Sequence, residues 1–267
     1  MRKYVVIDKK VGETPLMAIE AFRKSEPDLG KIPLTYAGRL DPMASGKLLV
    51  LIGEECKKRS SYDGLDKTYL FEVLLGFATD TGDVLGIPRL GALIGPSDED
   101  AERAARSLIG AHTFPYPAFS SKTVNGKPLF TYALSGTLDS IVIPTTDVQI
   151  HAIRYMDRVV SPKDELIERI LSRIEHLKVR HDDEQYGADF RKDETMRAWW
   201  SLSDRRKTPC TILRFEASVS SGTYIRTLAP LIAASLGTIG LAYSIRRTRV
   251  GRYLPIAGRT GLWIRTL

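Results

Sequence analysis

The 267-residue sequence predicts an α+β fold. Apolar residues make up 43% of the chain, which is enough to build a sizeable core in one large domain or two modest ones. Segments typical of strands and of helices follow one another without the regular rhythm of βαβ units. No run of 18 apolar residues occurs, so the sequence predicts no transmembrane helix.

The first part of the chain contains three predicted strands and one helix. The apolar segment KYVVID, close to the N-terminus, has the length of a short buried strand. A helix is predicted in TPLMAIEAFRKS, where Thr14 supplies the N-cap and Pro15 takes the first helical position. Apolar residues dominate KLLVLIG and alternate in part in KTYLFEVLLGF, which is typical of strands.

The later elements are marked by caps and turns. Ser97 caps a helix with acidic residues in its first turn, and we expect Gly110 to end it. Asn125 and Gly126 predict a turn before a short helix that ends at Gly136. The last three predicted elements are the strand TILRFEASV, the apolar helix TYIRTLAPLIAASLG and the basic strand YSIRRTRVGRY.

Residues 161–208 are predicted to be an insertion into the main fold. Apolar residues at helical spacing form one face of a charged helix there: Leu166, Ile170, Ile174 and Leu177. The rest of the insertion is polar with nearly balanced charge, but it contains the adjacent Trp199 and Trp200. A disordered loop carries few such residues, so we expect an ordered helix that packs on the domain.

The charge distribution favours a polyanionic partner. The formal net charge is +7 and the pI is about 9.3. Two segments, 103–138 and 238–267, contain no acidic residue. The first holds Lys122 and Lys127 among aromatic residues, and the second is rich in arginine: Arg246, Arg247, Arg249, Arg252, Arg259 and Arg265. Both segments suit contacts with nucleic-acid phosphates, although a generally basic surface would give the same net charge.

The cysteines and histidines predict no metal site. Cys56 and Cys210 are the only cysteines, too few for a zinc site or a disulfide scaffold. The spacing of His176 and His181 suits a solvated helix end better than a metal centre. The apolar stretch at the N-terminus is too short for a signal peptide, and a reducing cytoplasm fits best.

The segment GRLDPMASGKL, at residues 38–48, places a carboxylate directly before a buried strand. Asp41 lies between Leu40 and Pro42, and Gly38 and Gly46 allow the backbone to turn sharply around it. Charged side chains are rarely buried unless something pairs with them. One interpretation is a turn carboxylate that bonds to nearby amides; the other is a functional carboxylate with a partner elsewhere in the chain.

GRLDPMASGKL resembles the Gly-x-Leu-Asp-Pro-x-Ala-x-Gly-x-Leu motif of the TruB-type tRNA pseudouridine synthases. Further segments resemble that family's motifs in the same order: DKKVGETP, DKTYLFEVLLGFATDTGDVLG, FSSKTVNGKPLFTYALSG, SSGTYIRTLAPLIAASLG and IRRTRVGRY. The resemblance covers roughly residues 3–155 and 209–253. It implies a large mixed, mainly antiparallel sheet with flanking helices and a central RNA-binding cleft.

The resemblance also implies a role for each site residue. Asp41 would be the catalytic carboxylate, and Arg226 would pair with it and keep it ionised. The other implied pocket residues are Tyr69, stacking on the target uracil, Tyr224, Leu228, Lys9 and Tyr36. Without the resemblance, the sequence is also consistent with Tyr69 as a core tyrosine and with Arg226 as a surface arginine on a helix.

The implied reaction is the isomerisation of uridine to pseudouridine, at uridine 55 in the TΨC loop of tRNA. This reaction has no redox step, so no cofactor is expected. A basic hairpin-like segment near 118–138, with Lys122 and Lys127, together with Arg246 and Arg247, would grip the RNA. The insertion is expected to have only a secondary role in RNA binding. We expect a monomer in the cytoplasm, with no membrane partner.

The sequence departs from the family pattern at several points. Tyr36 stands where members usually carry histidine, and Arg39 replaces a small residue. We expect one catalytic domain over residues 1–267, which contains the insertion and lacks the usual C-terminal RNA-binding domain. The alternatives are a synthase for another RNA uridine and a tRNA-binding folding chaperone. An aspartate-nucleophile hydrolase lacks a second acid or metal cluster at matching spacing.

Overall fold

The computed structural model describes residues 2–177, 191–203, 207–256 and 260–267. The strands are β1 (Tyr4–Lys9), β2 (Leu34–Ala37), β3 (Ala44–Ile52), β4 (Asp66–Leu75), β5 (Phe77–Thr79), β6 (Pro88–Leu90), β7 (Gly110–Pro115), β8 (Thr123–Val124), β9 (Lys127–Pro128), β10 (Thr145–Pro162), β11 (Pro209–Val219), β12 (Gly240–Ile256) and β13 (Thr260–Thr266). The helices are α1 (Pro15–Ser25), α2 (Arg59–Asp63), α3 (Asp98–Arg106), α4 (Leu129–Leu134), α5 (Lys163–Glu175), α6 (Lys192–Ser201) and α7 (Ile225–Ser235).

A large sheet organises the fold. Its main strands lie in the order β1-β3-β12-β4-β11-β10-β7, and β2 and β13 pair with β3 and β12 respectively. The pairing of β3 with β12 is parallel, and the other pairings in this sheet are antiparallel. The mixed α+β fold with a large, mainly antiparallel sheet is therefore confirmed.

Helices cover both faces of this sheet, because successive side chains of a strand point to opposite faces. On one face, Val73 of β4 and Ala242 of β12 pack with α7 and α3 in an apolar cluster. On the other face, Leu74 and Leu241 pack with α5 and α6 in a second cluster. In the described ranges, no helix is long and apolar enough to cross a membrane.

The described part of residues 161–208, the predicted insertion, supplies much of the second cluster. Four apolar residues of the predicted helix face are buried: Leu166, Ile170, Ile174 and Leu177. In the same cluster lie Trp199, from α6, and Met43, which follows the Asp41-Pro42 pair. The expected ordered helix packed on the domain is confirmed. The two tryptophans differ, since Trp199 is buried whereas Trp200 is 63% exposed.

Local signals predicted the starts of α1 and α3 and the main turn. The Thr14 hydroxyl accepts a hydrogen bond from the amide of Met17, and Ser97 does the same for the amide of Asp100. Asn125 and Gly126 both have positive φ and join β8 to β9, as a tight hairpin requires. The expectation that Gly110 ends α3 was wrong: α3 ends at Arg106.

Gly110 instead begins β7, because the chain turns into the sheet immediately after the helix. His181 and Arg259 lie outside the described residues, as do 178–190 and 204–206 of the insertion and the Arg265 side chain.

The tryptophan pair tests how the insertion is anchored. The Trp199 indole is fully buried and donates a hydrogen bond to the Val84 carbonyl at 2.9 Å. We expect Trp199→Ala to lower the free energy of unfolding by roughly 3–5 kcal/mol. Trp200→Ala, the matched control, should change it by about 0.5 kcal/mol or less. Equilibrium urea unfolding measures both, and equal losses would contradict this packing.

Candidate active site

The loop that carries Asp41 connects β2 to β3 and is fixed by backbone contacts. The Asp41 carbonyl accepts a hydrogen bond from the amide of Ala44 at 3.0 Å, and the Pro42 carbonyl accepts one from Gly12 at 2.9 Å. Gly38 has a φ of +71°. At Gly46 a side chain would collide with the backbone of Arg247, so the residue must lack a Cβ. The glycines of the motif therefore permit this close packing.

Arg226 is the partner of Asp41. It lies in the first turn of α7, and its Nε donates to Asp41 Oδ2 at 2.8 Å. The guanidinium is buried, whereas the Asp41 side chain is 28% exposed. The other two guanidinium nitrogens of Arg226 donate to backbone carbonyls, Nη1 to Thr81 at 2.8 Å and Nη2 to Phe119 at 3.1 Å. The guanidinium thus joins Asp41 to two other segments of the chain.

A second carboxylate, Asp83, lies near the same nitrogen of Arg226 that binds Asp41. Its Oδ2 is 3.8 Å from Nε of Arg226, and its Oδ1 accepts hydrogen bonds from the Thr81 hydroxyl and the Leu85 amide. Burial raises the pKa of Asp83, Arg226 opposes this rise, and the charge of Asp41 adds to it. For Arg226, burial alone would lower the pKa, but Asp41 and Asp83 outweigh it and raise the pKa.

An apolar wall adjoins the pair. Leu40, next to Asp41 in sequence, shares one buried cluster with Tyr69 of β4 and Leu228 of α7. Tyr36 packs against the same cluster, and the Arg59 guanidinium lies 5.2 Å from the centre of its ring. These contacts bring three of the predicted pocket residues to the apolar cluster beside the Asp41 loop.

Aromatic and basic side chains extend from the pair toward the basic hairpin. The Tyr224 ring lies 6.0 Å from the Arg226 guanidinium carbon, and it meets the ring of Tyr116 edge to face, with 6.0 Å between centroids. The ammonium of Lys122 lies 5.0 Å from the centre of the Tyr116 ring. Burial, and after it the charge of Asp41, raises the pKa of Tyr224.

Lys9 supports the Asp41 loop from β1. Its ammonium is buried and donates hydrogen bonds to the carbonyls of Lys10 at 2.8 Å, Glu13 at 2.7 Å and Pro42 at 3.2 Å. Burial lowers the pKa of Lys9 to about 8, against the opposing charges of Glu13 and Asp41. The Lys9 side chain therefore holds the backbone directly after Asp41 by a hydrogen bond to the Pro42 carbonyl.

The four predicted RNA-contacting cations have different surroundings. Lys122 and Lys127 are exposed on the hairpin, and Arg246 is exposed and paired with Asp8 at 3.1 Å. Arg247 is a correction to the sequence analysis, because its side chain is buried and the residue is only 1% exposed. It donates to the carbonyls of the Asp41 motif and β3 instead of facing solvent: Gly38, Arg39 and Lys47.

Several site residues had no role in the sequence analysis. Asp83 and Thr81 belong to the segment TDTGD, which lies within one of the segments that carry the family resemblance. Phe119 acts through its backbone carbonyl, which no sequence pattern reveals.

No group of three or more potential ligands that would suit a metal ion occurs among the residues that the structure describes.

Comparison with known proteins identifies a related family. The model of the TruB family pseudouridylate synthase, N-terminal domain, matches residues 29–170. A protein named tRNA pseudouridine synthase B from Caldicellulosiruptor saccharolyticus is 29% identical, over 94% of this chain and 68% of its own. Its namesake from Fusobacterium nucleatum is 25% identical, over 95% of this chain and 69% of its own.

A solved structure has a similar fold. The crystal structure of a Cbf5-Nop10-Gar1 complex contains a chain that matches with a TM-score of 0.53 and 17% identity. The match covers 93% of this chain and 48% of that one, so this chain spans about half the length of its structural neighbour. At this identity the likeness supports the fold alone.

Two adjacent arginines test the correction for Arg247. In Arg247→Met, three partly buried carbonyls lose this donor, and each that is left buried without a new partner should cost about 1–3 kcal/mol of unfolding free energy. Arg246→Met removes the same charge from an exposed ion pair and should cost about 1 kcal/mol or less. Equilibrium chemical unfolding compares them, and an equally stable pair of variants would contradict a structural role for Arg247.

Proposed function

The chain belongs to the TruB family of pseudouridylate synthases, and we propose that it converts uridine 55 in the TΨC loop of tRNA to pseudouridine. The observation that carries this proposal is the 2.8 Å contact between buried Arg226 and partly exposed Asp41. Relatives matched over more than nine-tenths of this chain are named tRNA pseudouridine synthase B, which supports tRNA as the substrate.

Asp41 is the proposed catalytic residue. The reaction breaks the glycosidic bond, turns the uracil over and rejoins it to the sugar through carbon. A carboxylate can attack the sugar or abstract a proton from it, and either route requires the ionised form. The buried Arg226 guanidinium contacts the carboxylate at 2.8 Å, while the exposed part of the carboxylate remains accessible to a nucleotide.

The proposed pocket receives the uracil after it leaves its stack. Extruding a base costs on the order of a few kcal/mol, and stacking on an aromatic ring returns roughly 1–3 kcal/mol. We assign this stacking to Tyr69, with Tyr224 and Leu228 as further walls and Tyr36 at the entrance. Lys9 acts indirectly, since it holds the Pro42 carbonyl and not the nucleotide.

The proposed RNA-binding surface combines the hairpin with β12. Lys122, Lys127 and Arg246 are exposed and belong to the two segments without acidic residues. Lys122 approaches the site through Tyr116 and Tyr224, so phosphates bound there would lie close to the target nucleotide. Arg247 has no part in this surface, because its guanidinium is buried.

The proposal extends to the organisation of the protein. We infer one catalytic domain over residues 1–267, with an insertion at 161–208 that packs on the sheet. A monomer acting in the cytoplasm, where tRNA is modified, fits this organisation. The reaction itself needs no redox cofactor.

Asp41→Asn tests the chemistry. We expect it to abolish pseudouridine formation while tRNA affinity stays within about tenfold, roughly 1.4 kcal/mol, because the side chain acts on the nucleotide and not on the phosphates. Mapping of pseudouridines in tRNA from cells that contain the wild type, the variant or neither, together with a binding titration of both proteins, measures both effects. Normal turnover by the variant would exclude Asp41 as the catalytic residue, and a change at another uridine would identify a different target.

The hairpin cations test the RNA-binding surface. In the Lys122→Glu, Lys127→Glu double variant, affinity for tRNA should fall and its dependence on salt should weaken. Each lost phosphate contact should lower the slope of log affinity against log salt by about 0.7–0.9. The matched control reverses Lys24 and Lys31, which are exposed outside both acid-free segments. Equal slopes for the two double variants would move the RNA-binding face elsewhere.

A further inference from the structure

Arg191 is one of the residues through which the insertion contacts the catalytic region. It directly precedes α6, and its Nη2 donates to Asp80 Oδ2 at 2.7 Å. Its guanidinium carbon lies 4.8 Å from the centre of the Phe119 ring. The backbone of Arg191 has a φ of +50°, a conformation that residues other than glycine seldom adopt. Tertiary contacts must therefore hold this residue in place.

The Asp80 and Phe119 contacts of the Arg191 side chain lie beside the two backbone acceptors of Arg226. Asp80 directly precedes Thr81, whose carbonyl accepts the hydrogen bond from Nη1 of Arg226. Phe119 itself supplies the carbonyl that accepts from Nη2. We propose that Arg191 is a positioning residue, which fixes these two segments and thereby aims Arg226 at Asp41. This inference rests on the function proposed above.

Other contacts of the insertion point to the same loops. From α6, the indole of Trp199 donates to the Val84 carbonyl at 2.9 Å, and the Thr195 hydroxyl donates to the Leu85 carbonyl at 3.1 Å. Both acceptors directly follow Asp83 in sequence. Met43, two residues after Asp41, packs in the same cluster as α5. The insertion therefore lies against the segments that carry both carboxylates of the site.

The rate of the reaction should depend on this support. An error of about 1 Å in the placement of a catalytic group can cost about a hundredfold in rate. Arg226 has two of its three nitrogens bound to backbone, so a shift of either segment moves the guanidinium relative to Asp41. A loss of Arg191 should therefore slow the chemical step while leaving the RNA-binding surface in place.

Direct contact between Arg191 and an RNA phosphate is the competing role. The side chain is 23% exposed, and its ion pair with Asp80 already occupies one edge of the guanidinium. A phosphate contact would make Arg191→Met weaken affinity and the salt dependence of binding. A positioning role would leave both unchanged and lower the rate at saturating tRNA.

The experiment compares Arg191→Met with Arg191→Lys, Asp80→Asn and the double variant Asp80→Asn, Arg191→Met. Arg197→Met is the matched control, since Arg197 is exposed on α6, the helix that Arg191 directly precedes. For each full-length protein we would measure the single-turnover rate at saturating tRNA, the affinity for tRNA, the melting temperature and amide hydrogen exchange in residues 79–87 and 116–122. The exchange measurement needs no RNA and no activity.

The positioning role predicts a specific pattern. Arg191→Met should lower the rate about ten- to a hundredfold, with affinity unchanged within about twofold and faster exchange in both segments. Arg191→Lys should recover part of the rate, Asp80→Asn should reproduce part of the loss, and the double variant should lose less than the product of the single effects. Arg197→Met should match the wild type in every measurement.

Three results would overturn the inference. These are an unchanged rate and unchanged exchange in Arg191→Met, a loss confined to affinity, and single effects that multiply fully in the double variant. If Arg191→Met does not fold, the Lys and Asp80→Asn variants decide by the same criteria. If the wild type forms no pseudouridine in tRNA, the proposed function fails, while the exchange data still decide whether Arg191 holds the two segments.

Discussion

The ion pair between Arg226 and Asp41 is the contact on which the arrangement of the site depends. A buried guanidinium is costly unless its donors are satisfied and its charge is paired. Arg226 meets this requirement with partners from three segments that are distant in sequence: Asp41, Thr81 and Phe119. The loop before β3, the loop after β5 and the segment leading to the hairpin must therefore converge wherever α7 places this side chain.

Sequence patterns predicted the elements that obey strong local rules. The caps at Thr14 and Ser97, the turn at Asn125 and the apolar face of α5 are each encoded within a few residues. Strand β10 was not predicted, because its second half contains the consecutive exposed residues Met156, Asp157 and Arg158 and has no continuous apolar face. It becomes a strand by pairing with β7 and β11 on either side, which is a tertiary effect.

Site residues that belong to a sequence motif could be predicted. Residues that act through their backbone, or whose role depends on burial, could not. Asp41 and Arg226 were both expected, and they lie 2.8 Å apart. Arg247 was assigned to the surface because it belongs to a basic strand, yet adjacent strand residues point to opposite faces. Its neighbour Arg246 is exposed, whereas the Arg247 side chain is buried and binds backbone carbonyls. Counting charges cannot separate these two environments.

The two carboxylates around Arg226 are not equivalent, and the difference follows from burial. One guanidinium cannot fully neutralise two carboxylates in a poorly solvated site, so an excess of negative charge must be accommodated. Asp83 is the more buried, lies farther from Nε at 3.8 Å, and has its pKa raised chiefly by burial. The Thr81 hydroxyl and the Leu85 amide bind its Oδ1 and fix its orientation. Burial therefore penalises the ionised form of Asp83. Arg226 makes its closer contact with Asp41, the carboxylate that is partly exposed.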